Sequence, residues 1–261
     1  MDEKLQLRIY GDDLLPTLIY FPGLHGDWTL IGSFRKHVIG KVRFVEMTYP
    51  RTLVWSLDDY AAAIEAALAE NGITHGWLLG ESFGSQPLWA IVGRNNFHAN
   101  GIILAGGFVK LPMRGFVRLA EQIAGKFALS LLTWIIFPVT NKAFGWFYSK
   151  VARFRFRRST ETLAKIDEFL ERRTPLDFQA ARHRLYLIAK NDPGEIARQT
   201  DISVFAVSGI LDPIVPWFTV RHWLRKNCPT LRDFKIISPA DHAVLMSAPK
   251  ESAETILRWM T

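Results

Sequence analysis

Apolar residues recur along this chain with two different periods, and the switching between them outlines an architecture. Leu5, Leu7 and Ile9 alternate with polar neighbours, the period of a strand buried on one face. Residues 17–21, Thr17 followed by the apolar run Leu18-Ile19-Tyr20-Phe21, read as a strand covered on both faces. Residues 42–47 read as a third strand that ends at Tyr49-Pro50. Ser56-Leu57-Asp58-Asp59 then sets a serine cap with an acid three positions on. The alanine-rich stretch behind it predicts a helix that stops at Asn71-Gly72. Strands are predicted over 76–79 and 101–104, with a helix over 85–92 between them. Near the C-terminus come a strand over 202–207, a helix over 216–226, a strand over 234–237 and a closing helix from Pro249. Strands separated by helices imply a doubly wound, mainly parallel sheet of the α/β class. Such sheets gather their functional groups at the carboxyl ends of the strands.

Between about residues 110 and 201 the strand pattern vanishes. Helices are expected over 113–136, 141–152, 159–173 and 175–190, with breaks near Pro138, Arg158 and Pro175. The chain thus divides into a first core part (1–110), a helical insert (111–200) and a second core part (201–261). It shows no internal repeat and no low-complexity tract.

Charge follows the same division. The net charge of +7 resides in residues 111–195, which carry 15 Lys and Arg against 8 Asp and Glu, while the remainder is balanced. Within that segment Arg153-Phe154-Arg155-Phe156-Arg157-Arg158 interleaves cations with aromatic rings. Three readings stay open for it: a solvated surface, a contact with an anionic membrane, or a contact with an acidic acyl carrier or phosphate-bearing substrate. A nucleic-acid partner is disfavoured, because six residues beside an otherwise neutral core fall short of an electrostatic footprint. The run from Phe127 to Phe137 is apolar nearly all round a helix. Burial against the core, lining an acyl pocket, is its simplest fate, and dipping into lipid is the alternative. The longer apolar stretch Phe127 to Val139, broken by Pro138 and bounded by Lys126 and Lys142, is too short to span a bilayer. Cys228 is the single cysteine, which excludes an intrachain disulfide and a cysteine-rich zinc site. The acidic start Met1-Asp2-Glu3-Lys4 lacks the form of a secretory signal. Together these favour a cytoplasmic location, with peripheral membrane contact left open.

The chemistry centres on Gly80-Glu81-Ser82-Phe83-Gly84, which follows the strand at 76–79 and opens the helix at 85–92. A serine at the tip of such a turn has its hydroxyl forced out of the sheet edge, and the flanking glycines let helix and strand pass closely. A serine there can also simply cap a helix. Asp212, in Ser208-Gly209-Ile210-Leu211-Asp212-Pro213, follows the strand at 202–207 and can likewise merely start a turn. His242, in Ala240-Asp241-His242-Ala243, follows the strand at 234–237. Asp241 is set aside as its partner, since consecutive loop residues seldom point their side chains at each other. Phe21-Pro22-Gly23-Leu24-His25-Gly26 follows the second strand.

These motifs resemble the α/β-hydrolase superfamily from about residue 15 to the C-terminus, the middle segment excepted. The resemblance implies a nucleophile, acid and histidine in that chain order, met here by Ser82, Asp212 and His242. It implies that backbone N–H groups of Leu24 and Phe83 form the oxyanion hole, and that the inserted helices form a cap after the sixth strand. A serine at the elbow argues against relatives that need a carboxylate nucleophile, such as haloalkane dehalogenases. The implied activity is hydrolysis of a small-molecule acyl ester without metal or organic cofactor. Thioesters, carrier-bound esters, lipids at an anionic surface and binding without turnover remain as alternatives. His25 has two readings, substrate contact or plain loop structure, and Glu81 is read chiefly as structural.

Overall fold

The computed structural model describes residues 4–110, 168–169, 171 and 173–261. The expected helices over 113–136 and 141–152, most of that over 159–173, the Arg153–Arg158 run and the apolar run from Phe127 to Phe137 lie outside the described residues.

Seven strands form one sheet: β1 (Gln6–Tyr10), β2 (Thr17–Phe21), β3 (Arg43–Thr48), β4 (His75–Glu81), β5 (His98–Ala105), β6 (Val204–Gly209) and β7 (Leu231–Ile237). Their spatial order is β1-β3-β2-β4-β5-β6-β7, and only β1 runs antiparallel to its neighbour. The chain leaves the sheet for the predicted insert after β5, the fifth strand described here, and re-enters at β6.

Alternate residues of each central strand feed two separate cores, which is why these strands read as continuous apolar runs. Ile19, Phe21, Val45, Leu78, Ile102, Leu104, Val204 and Ala206 face one side. There they meet Tyr60, Ile64 and Leu68 of α2 (Leu57–Glu70), Leu88 and Ile91 of α3 (Ser85–Arg94), Ile188 of α4 (Pro175–Lys190) and Ala197 of α5 (Gly194–Gln199). Val220 and Leu224 of α6 (Trp217–Asn227) complete that layer. Leu18, Tyr20, Phe44, Leu79, Ile103, Ala105 and Val207 face the other side. They pack on Phe34 and Val38 of α1 (Gly32–Val38), Leu245 of α7 (Val244–Ser247), and Ile256 and Trp259 of α8 (Pro249–Trp259).

Local chemistry explains the helix boundaries. Ser56 Oγ accepts the Asp59 amide at 3.1 Å while the Asp59 carboxylate accepts the Ser56 amide at 2.8 Å, the predicted reciprocal cap of α2. Thr174 and Asp177 build the same box at the start of α4, with Pro175 at its first position. The left-handed Asn95, φ 54°, ends α3. Helix α1 was not expected from the sequence. Only Phe34 and Val38 mark its apolar face, and it is fastened by tertiary contacts, including Arg35 Nη1 to the buried Glu46 carboxylate at 2.6 and 2.7 Å.

Leu78 is fully buried and Leu14 is 90% exposed. Leu78→Ala is therefore expected to lower the unfolding free energy by about 2–5 kcal/mol in urea titrations. Leu14→Ala should change it by less than about 0.5 kcal/mol.

Candidate active site

Strand β4 ends at Glu81 and α3 begins at Ser85, leaving Ser82-Phe83-Gly84 as one tight 3-10 turn. Ser82 is held at φ +49°, a left-handed conformation uncommon outside glycine. The glycines two positions before and after it have no room for a side chain. A Cβ on Gly80 would stand 2.9 Å from the Ser85 backbone, and one on Gly84 would stand 2.1 Å from the Phe21 carbonyl oxygen. Ser85 Oγ donates to the Ser82 carbonyl at 2.6 Å and fastens the turn from below. The Phe83 ring is fully buried, edge-on to Tyr49 and Tyr60 with centroids 5.9 Å away in each case.

Asp212 lies on the turn after β6. Its Oδ1 accepts the amides of Ile214 at 2.9 Å and Val215 at 2.8 Å, which turns Oδ2 toward His242. His242 Nδ1 donates to that Oδ2 at 2.8 Å, and its Nε2 stands 2.7 Å from Ser82 Oγ. With Nδ1 carrying the proton of the neutral ring, Nε2 is the acceptor and the serine hydroxyl donates. The three residues expected from the sequence are thus joined in one hydrogen-bonded line, with Asp212 shielded from solvent and His242 partly open.

Two further glycines, to which the sequence alone assigned no role, let the acid and histidine loops meet. A Cβ on Gly209 would come within 2.3 Å of the Ala240 and Asp241 carbonyl oxygens. One on Gly106, whose φ is +53°, would stand 2.6 Å from the His242 carbonyl. Leu211 N–H donates to the Ala240 carbonyl at 2.9 Å, pairing the loops directly. Asp241 directs Oδ1 to the Ala243 amide at 3.1 Å, in keeping with its exclusion as the partner of the imidazole.

The loop after β2 passes beside the elbow: a Cβ on Gly23 would lie 3.7 Å from Ser82 Cβ. Gly26 N–H donates to the Gly23 carbonyl at 2.9 Å and closes a turn that includes Leu24 and His25. Phe83, the other expected amide donor, immediately follows Ser82. Sequence reasoning missed Arg184 on α4. Its side chain is 1% exposed and donates to the carbonyls of Leu24 at 3.0 Å, His25 at 3.1 Å and Pro50 at 3.1 Å, and to the Tyr60 hydroxyl at 3.3 Å. The available signal was an arginine on the helix stripe that also carries Ala180, Ala181 and Ile188.

His25 and Glu81 both find protein partners. His25 meets Phe169 edge-on, with centroids 4.7 Å apart, and Asp27 beside it is ion-paired with Arg173. Burial, reinforced by the positive charge of Arg173, pushes His25 down to about 3. The Glu81 carboxylate accepts the Tyr20 hydroxyl; burial raises its pKa, and the Tyr20 bond and His242 oppose that rise. Among the described residues, no group of three or more His, Cys, Asp or Glu is placed to hold a metal ion.

The depressed His25 has a consequence for stability. Below its ordinary value of 6.5 the unfolded chain takes up a proton at this position, while the folded chain does so only near 3. Stability contributed by the neutral ring is therefore present above pH 6.5 and lost as pH falls toward 3. His25→Gln should flatten the decline in unfolding free energy, measured by urea titration, between pH 7 and 4.5, by an amount on the order of 1–2 kcal/mol.

A model of the alpha/beta hydrolase fold family matches residues 46–249. Among solved structures, an esterase from Thermogutta terrifontis superposes with a TM-score of 0.70 at 19% identity, covering 98% of this chain and 92% of that one. An esterase from Rhodococcus sp. ECU1013 gives 0.68 at 17% identity, covering 98% and 94%. A lipase, so described provisionally, from Acinetobacter baumannii AYE gives 0.76 at 13% identity, covering 98% and 87%. No curated protein sequence matches significantly. At these identities the structural likeness speaks for the fold alone. The family model spans most of the chain, and the strand order, the serine elbow and the loops after β6 and β7 agree with it: this chain belongs to the α/β-hydrolase fold family.

Proposed function

We propose that this protein is a serine hydrolase that cleaves carboxylic esters through a covalent acyl-enzyme. The observation that carries the reading is the unbroken line of hydrogen bonds from Ser82 Oγ through His242 to the Asp212 carboxylate. A serine hydroxyl is a weak nucleophile until a base removes its proton during attack, and an imidazole 2.7 Å away is placed to do so. Ser82 Oγ bonds to the ester carbonyl carbon as its proton passes to His242 Nε2. Asp212 holds the ring in the tautomer that leaves Nε2 free, and stabilises the imidazolium that results. The carbonyl oxygen, now negative, accepts hydrogen bonds from the amides of Leu24 and Phe83, with the start of α3 adding its positive end. His242 then gives its proton to the departing alcohol oxygen. Water, deprotonated by the same nitrogen, attacks the acyl carbon; the bond to Ser82 Oγ breaks as His242 returns the proton to that oxygen, releasing the acid. Every step is a proton or acyl transfer among these groups.

The esterase and lipase neighbours accord with an ester substrate, and an enol-lactonase from Burkholderia xenovorans LB400 with 14% identity and a TM-score of 0.71 widens the range to cyclic esters. A fold of this kind also serves proteins that bind without turnover, so the chemistry rests on the hydrogen-bonded line rather than on the architecture.

A fluorophosphonate probe is expected to label Ser82, with labelling abolished in Ser82→Ala and His242→Ala. Absence of labelling in the unmodified protein would favour a binding role. With p-nitrophenyl esters, Ser82→Ala should lower kcat by roughly 10⁴-fold or more, and Asp212→Asn by about 10⁴-fold because the ring adopts the wrong tautomer. A series of p-nitrophenyl esters from acetate to decanoate should give a single maximum in kcat/KM that defines the acyl pocket. A flat profile would point away from simple acyl esters and toward another acyl donor, such as a thioester.

A further inference from the structure

We infer that Arg184 is a positioning residue for the oxyanion hole: it orients the Leu24 amide through the backbone it grips, without touching substrate. The inference rests on the proposed esterase chemistry and assigns a residue that this chemistry does not itself require. Every carbonyl of the Gly23–Gly26 turn is engaged. The Gly23 carbonyl takes the Gly26 N–H at 2.9 Å, and the Gly26 carbonyl takes the Tyr49 N–H at 2.8 Å. The two between them, of Leu24 and His25, both accept from one nitrogen, Arg184 Nη1, at 3.0 and 3.1 Å. The peptide joining Gly23 to Leu24 is trans, so its N–H points opposite to its carbonyl. With the Gly23 carbonyl turned to Gly26 and the Leu24 carbonyl turned to Arg184, the planes on both sides of Leu24 are fixed and its N–H direction follows.

The same guanidinium also meets the two tyrosines that pack on the second donor residue. Its Nη2 bonds the Pro50 carbonyl at 3.1 Å, its Nε bonds the Tyr60 hydroxyl at 3.3 Å, and its carbon lies 5.5 Å from the centre of the Tyr49 ring. Tyr49 and Tyr60 are the rings that flank Phe83, whose amide is the other donor. A planar fork with five N–H groups can serve all of these acceptors at once, whereas a lysine ammonium, a compact point charge on a flexible stem, cannot. The site is built around this fork. Gly26, at φ +80°, admits it because any Cβ there would stand 2.4 Å from Nη1.

Arg184→Lys and Arg184→Met, assayed with p-nitrophenyl acetate at a temperature where both are folded by circular dichroism, should lose roughly 10- to 100-fold in kcat, as expected for a donor displaced by about an ångström. KM should change by less than about threefold, because the alkoxide and not the neutral ester feels the donors. A trifluoromethyl ketone, which forms an oxyanion on Ser82, should weaken by a factor similar to the loss in kcat. Folded Arg184 variants with kcat within threefold of the unmodified protein, or with an unaltered ketone affinity, overturn the inference. Should both variants fail to fold, Tyr60→Phe removes only the acceptor of Nε and keeps the ring. A kcat reduced several-fold with KM unchanged supports the positioning role, and an unchanged kcat overturns it. Failure of the esterase reading itself is distinguishable: the unmodified protein would then neither turn over the ester nor be labelled at Ser82, and the inference would fall with it.

Discussion

The close passage of β4 into α3 at Ser82 is the constraint on which the rest of the site depends. A seven-stranded sheet buried on both faces leaves its polar backbone ends at the strand termini, and the turn after β4 must reverse there within three residues. That reversal holds a serine at φ +49°, a conformation costing on the order of 1 kcal/mol or more for a residue with a Cβ. It is tolerated because the surroundings over-determine it. Phe83 is sunk among aromatic rings, Ser85 Oγ grips the Ser82 carbonyl, and Gly80 and Gly84 clear the backbone of β2 and α3. Relaxing the turn would return the hydroxyl toward the sheet and out of reach of His242.

Around this fixed point, three loops are brought into register by hydrogen bonds to their backbones, from other backbone groups and from the Asp212 and Arg184 side chains. The loops after β6 and β7 approach so closely at Gly209 that any side chain there would strike the Ala240 and Asp241 carbonyls. The loop after β2 is held by Tyr49 and Arg184. Arg184 is costly to bury, since its charge must be compensated without water. Its acceptors are three carbonyls and a hydroxyl, dipoles that spread the compensation over two loops and one helix. Removing it would leave several buried carbonyls unpaired together, so its effect is not confined to a single contact.

Much of this was legible in the residues, and the reasons are specific. One alternating run and several short continuous apolar runs placed the strands to within a few residues, and the serine-acid box placed the start of α2, because these are local patterns that a few neighbouring residues suffice to show. The elbow was legible because a glycine on each side of a serine, between strand and helix, has few other steric explanations. Helix α1 was not, because its seven residues carry only two buried apolar anchors and its stability comes from Glu46 and the sheet behind it. The need for glycine at 106 and 209 was not legible, since what forbids a side chain there belongs to residues more than thirty positions away.

By itself, the chain's order of residues determined the alternation of strands and helices, the tight serine turn, and the set of polar groups that end up on strand-terminal loops. Those follow from steric and hydrophobic preferences acting over a few residues. Only the tertiary structure decided which of the polar groups meet. Ser82 and His242 are separated by 160 positions, Arg184 and Leu24 likewise, and it is Asp212, not the Asp241 next to His242, whose carboxylate meets the imidazole. Such choices depend on how loops from different strands pack against one another, and no local pattern records that distance.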